Sequence, residues 1–124
     1  MSKGKRVRIS NESVNCYGTR ILTSGIDLAQ YQRNPVLLYM HQRGEVIGLV
    51  KDIRVEGDEI TGELEFDGAS EMSVRAERQF GFGSLRMVSA GLDIIETSED
   101  PAVLVPGQTR PTVTRSRLFE VSVV

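Results

Sequence analysis

One histidine, one cysteine, one serine between small residues and one acid in an apolar strand are the residues with chemistry to offer. His41 is the only histidine of the chain and ends the apolar run Pro35 to Met40, just before Gln42-Arg43-Gly44. Imidazole exchanges a proton near neutral pH, so a histidine held at the end of a rigid strand suits general base work. Ser89 sits in Ser-Ala-Gly, in the middle of Leu85 to Glu96. Small neighbours let another backbone approach a serine closely. Glu120 lies within Thr112 to Val124, where Leu118, Glu120, Ser122 and Val124 alternate with Phe119, Val121 and Val123. A charge in such a strand is costly unless paired, and Arg115 and Arg117 are the nearest ordinary partners. Each residue alone also has an ordinary reading: a polar turn histidine, a small residue tolerated in a packed strand, a surface ion pair. Cys16 reads as a small core residue rather than the nucleophile of a Cys16–His41 pair.

These positions need elements to hold them. Asn34 to Phe66 reads as a three-stranded meander: Pro35–Met40, a polar turn, Val46–Val55, the turn Glu56-Gly57-Asp58-Glu59, then Ile60–Phe66. Before it, Val7 and Ile9, then Val14, Cys16 and Tyr17, suggest one or two short strands. Asp27 is placed to cap a helical turn over Leu28–Gln32, ended by Asn34-Pro35. Met72, Ala76 and Phe80 recur at helical spacing after Ser70, and Gly81 and Gly83 close the segment, which predicts a helix over Ala69–Phe80. Leu85–Glu96 is apolar almost throughout, like a central strand. Thr97–Pro111, punctuated by proline and glycine, predicts an exposed loop. The sum is a mainly β domain with one or two helices and an antiparallel, barrel-like curved sheet.

Composition bounds the function. A chain of 124 residues is one domain, large enough to bury roughly 65% of its unfolded surface. A net charge of −2 gives no reason to expect a nucleic-acid partner. No apolar run reaches the length of a membrane span, and the basic start with Lys3, Lys5, Arg6 and Arg8 lacks a signal-peptide core and reads as a solvated terminus. One cysteine and one histidine do not make a four-ligand zinc site, so neither a metal nor a cofactor is expected.

Taken in order, four segments carry a resemblance: Asn34-Pro35-Val36-Leu37-Leu38-Tyr39-Met40-His41; Ile47-Gly48-Leu49-Val50; a glycine-ended helix leading to Leu85-Arg86-Met87-Val88-Ser89-Ala90-Gly91-Leu92; and Leu118-Phe119-Glu120-Val121-Ser122-Val123-Val124. The chain resembles the prohead (capsid maturation) serine proteases of tailed phages, the HK97-type family, related in fold to herpesvirus assemblins. The resemblance runs from about Gly18 to Val124, skipping Thr97–Pro111. It implies a herpesvirus-protease-like fold with His41 as base, Ser89 as nucleophile and Glu120 as third member. Asp93, Glu45 and Glu96 are rivals for that third position. A serine hydroxyl needs an adjacent base, and His41 is the only ordinary candidate. The family further implies an endopeptidase that cuts scaffold and capsid-protein precursor segments inside the immature shell, in the host cytoplasm or from a prophage. It leaves room for a homo-oligomer. Family members continue beyond this strand into a Pro-Ala-Asn segment, so residues 1–124 read as a single protease domain truncated at its C-terminus. The competing expectation is a non-enzymatic β-rich assembly or scaffold module.

Overall fold

A computed structural model describes residues 5–124 of the chain. Lys3, part of the expected basic terminus, lies outside the described residues. The elements in order are β1 (Lys5–Ser10), β2 (Ile26–Asp27), α1 (Ala29–Arg33), β3 (Val36–Tyr39), β4 (Gln42–Glu56), β5 (Glu59–Phe66), α2 (Glu71–Phe82), β6 (Val88–Ser98) and β7 (Thr112–Val123). They form a mainly β fold with two α-helices and a curled, half-barrel sheet. The strands run β1-β5-β4-β3-β7-β2, with β6 also paired to β7. Most pairings are antiparallel, as expected. β2 and β3 instead run parallel to β7, which makes the sheet mixed.

Alternation explains the core. Leu37, Ile47, Val50, Ile60, Leu64, Leu118, Val121 and Val123 are buried in one apolar cluster. Helix α2 closes it from outside with Ala76 and Phe80, and the Phe80 ring meets Phe66 at a centroid distance of 6.0 Å. The helix begins and stops by ordinary punctuation. The Ser70 hydroxyl accepts from the Ser73 N–H at 3.1 Å, and Gly83 at φ 104° takes the left-handed cap position that disfavours a side chain. Ser73 is the helix's polar anchor. Its hydroxyl donates to the Ile47 carbonyl at 2.8 Å and accepts from the Gly68 N–H, so α2 is pinned to β4 and to its own entry turn.

Several expectations shift. Arg6 and Arg8 are not a loose basic terminus: they lie in β1 and pair with Asp52 and Glu59. Residues 14–17 lie outside any strand, with a turn at Cys16 and Tyr17, and Cys16 is exposed rather than in the core. The helical turn α1 follows Asp27, whose carboxylate accepts from the Ala29 N–H at 3.0 Å. The segment after β6 is exposed but tied down. The Arg20 guanidinium and the Thr112 hydroxyl both donate to the Val103 carbonyl, and the Thr109 and Arg110 N–H groups donate to Gly18. No helix is long and apolar enough to cross a membrane among the described residues.

Candidate active site

The turn that carries His41 is tighter than the sequence implies. Tyr39 pairs with Gln42, so Met40 and His41 alone form the β3–β4 turn, and Gln42-Arg43-Gly44 already belong to β4. Met40 has φ 51° and His41 has φ 60°. A two-residue type I′ hairpin turn demands positive φ at both central positions, normally met by Asn-Gly. For an ordinary L-residue the left-handed conformation costs about 1–2 kcal/mol. A methionine and a histidine hold it here because β7 grips the turn from the side. The Met40 N–H donates to the Val123 carbonyl at 3.0 Å, and the His41 N–H donates to the Ser122 hydroxyl at 3.1 Å. Backbone strain of this kind, fixed by its surroundings, is typical of functional positions. Met40 adds nothing to the site but its conformation. Met40→Asn is expected to raise the melting temperature by about 3–5 °C, as relief of about 1 kcal/mol would in a domain of this size. A thermal melt showing a decrease would contradict the strain argument.

The His41 imidazole reaches Glu120. Nδ1 contacts Glu120 Oε1, and the two side chains differ sharply in exposure: 43% for His41 and 9% for Glu120. The other carboxylate oxygen, Oε2, accepts from the Ser122 hydroxyl at 2.7 Å. The expected arginine partners are therefore wrong: among the described residues Glu120 is held by a histidine and a serine, not by Arg115 or Arg117. β7 is bulged next to the acid. Gly91 pairs with Glu120 but Leu92 pairs with Leu118, so Phe119 is an extra residue on β7. The extra residue reverses the alternation. Leu118 joins Val121 and Val123 in the core, which overturns the expected grouping of Leu118 with Glu120 and Ser122. Arg43, at the start of β4, lies over the Phe119 ring at 5.1 Å and ties the histidine hairpin to the bulge. Tyr31 of α1 packs nearby and donates to the Val36 carbonyl. Burial, and then the Glu120 charge, push its hydroxyl well above the ordinary tyrosine range.

Ser89 stands on β6 directly opposite Ser122, and Gly91 directly opposite Glu120. Side chains of directly opposed residues share one face of the sheet, so the Ser89 hydroxyl projects on the Glu120 and Ser122 side of β6 and β7. Ser89 makes no hydrogen bond to His41 among the described residues. Catalytic contacts in unliganded sites are often loose before substrate arrives. Gly91, two positions on, has a use the sequence did not reveal. A Cβ on Gly91 would lie 2.6 Å from Glu120 Cγ and 2.9 Å from its Oε1. The space left by Gly91 is thus filled by the Glu120 side chain rather than kept open for substrate. Among the rival acids, Asp93 stands opposite Arg117 in the β6–β7 register and is exposed, Glu96 is exposed beside the Thr114 hydroxyl, and Glu45 is half-buried. Glu120 alone of the four contacts the imidazole among the described residues.

Beside Ser89 an open groove of about 810 Å³ separates β1 and the turns after it from β6. Ile9, Tyr17, Met87, Ser89 and Leu92 contribute to its walls, as does Cys16. The groove fills the opening of the half-barrel, where β1 and β6 present their unpaired edges. Residues 97–111 take no part in its walls, and neither does His41. No cluster of His, Cys, Asp and Glu fit to hold a metal ion occurs among the described residues. Comparison with protein-family models finds no match for this chain, and neither does comparison with curated proteins or with solved structures.

Proposed function

We propose that this chain is a serine endopeptidase of the prohead maturation type, with Ser89 as nucleophile, His41 as general base and Glu120 as the acid that orients it. The observation that carries the reading is the contact of the lone histidine, held in a strained turn, with a buried carboxylate. A carboxylate accepts only from a protonated nitrogen, so the contact fixes the proton on Nδ1 and leaves Nε2 as the basic lone pair. Ser89 Oγ attacks the scissile carbonyl carbon while Nε2 takes its proton. The tetrahedral intermediate then collapses, and the imidazolium gives that proton to the departing amine. Water, activated by the same nitrogen, hydrolyses the acyl-serine. Glu120 stabilises the imidazolium without taking the proton, the role of the acid in any such triad.

The groove beside Ser89 is largely apolar where β1 and β6 face each other. The substrates proposed are scaffold and capsid-protein precursor segments within the immature shell. A serine-reactive fluorophosphonate tests the reading directly. It is expected to label the wild-type protein at Ser89, and to label neither Ser89→Ala nor His41→Ala. A folded wild-type protein that stays unlabelled would favour the non-enzymatic assembly module instead.

A further inference from the structure

We propose that Ser122 is the positioning residue of this site, a single hydroxyl that sets both the backbone and the ring of His41. Its effect on rate rests on the protease reading; its effect on the imidazole does not. Ser122 is fully buried in β7. Its oxygen accepts from the His41 N–H at 3.1 Å, and its proton goes to Glu120 Oε2 at 2.7 Å. Glu120 Oε1 in turn meets His41 Nδ1, so the contacts close a ring that leaves His41 through its main chain and returns through its side chain.

The chemistry of the hydroxyl makes serine the fitting occupant. One O–H and two lone pairs let it donate to a carboxylate and accept from an amide at once. Alanine would remove both bonds, leaving a left-handed N–H without its acceptor and a buried carboxylate oxygen without its donor. Glu120 would then be free to rotate away from Nδ1. The same strand provides a contrast. Ser116 is buried too, at 1% exposure, yet its hydroxyl has no hydrogen-bond partner among the described residues. Burial of a serine in β7 does not by itself create such a ring.

Because His41 is the only histidine, ¹⁵N-histidine labelling reports on this one ring. Spectra recorded at a pH where the ring is neutral distinguish the Nδ1–H from the Nε2–H tautomer. The wild-type ring is expected to hold its proton on Nδ1. Ser122→Ala is expected to shift the population towards Nε2–H, and to lower kcat by roughly 10- to 100-fold, the scale of a small misplacement of a reacting group, with KM unchanged. Ser116→Ala, the control, is expected to alter neither. Ser122→Cys keeps the volume and offers only a weak donor, so it is expected to fall between wild type and alanine. A folded Ser122→Ala protein with the wild-type tautomer overturns the proposal. If Ser122→Ala does not fold, a wild-type tautomer in Ser122→Cys overturns it equally. A wild-type protein that cleaves nothing would sink the protease reading, while the tautomer measurement would still decide the role of Ser122.

Discussion

On the proposed protease reading, Ser89→Ala and His41→Ala are each expected to abolish cleavage of scaffold and capsid precursor, with kcat losses on the order of 10⁶-fold, and to leave the sheet folded. The double variant is expected to be little worse than either single one, because nucleophile and base serve one proton transfer and neither works without the other. Glu120→Gln is expected to cost less, since the acid orients and stabilises but does not react. Gel-based cleavage of the precursor, with circular dichroism as the folding control, measures all four. Cleavage by Ser89→Ala at the wild-type rate would remove Ser89 from the mechanism. Additive losses in the double variant would show that Ser89 and His41 act separately.

The second large effect is expected at a residue with no side chain. Gly91→Val places branched carbons where Glu120 Cγ and Oε1 and the Phe119 ring now lie, all within 3 Å of the new Cβ. Glu120 is fixed at both oxygens and Phe119 is held under Arg43, so neither yields without breaking a contact. The expected outcome is a destabilisation of about 1–3 kcal/mol, the usual cost of overpacking. A rate loss of roughly 10²-fold from the displaced acid accompanies it. Chemical denaturation and precursor cleavage report the two effects. A variant with wild-type stability and rate would show that β6 and β7 separate there without consequence.

The helix α2 was legible in the sequence because its signals are local. Ser70, Gly83 and the spacing of Ala76 and Phe80 each act within a turn or two of the chain. The strands were legible to within a few residues, since their alternation is also local. What the sequence hid depends on pairing. The turn at Met40-His41 lacks Asn-Gly, the residues that mark a two-residue hairpin, because β7 supplies from a distance the support that turn chemistry supplies elsewhere. The bulge at Phe119 inverts the apparent parity of β7, and only the register with Gly91 and Leu92 reveals it. Hence alternation alone puts Leu118 on the wrong face. The role of Ser122 is hidden as well, since a serine in an alternating strand has no local mark of the two bonds it makes. Its one sequence signal is that it stands two positions after Glu120, on the same side of the strand as the acid.

β7 pairs with β2, β3 and β6, all of which precede it in the chain. A ribosome makes the chain from its N-terminus at roughly 5–20 residues per second, so β3 and β6 are made before their shared neighbour. His41 is then on a turn with nothing to grip it, and Ser89 is on a strand with no partner. Both wait for Glu120 and Ser122, which arrive together on β7. The contacts that hold His41 and face Ser89 therefore form only when β7 closes against β3 and β6.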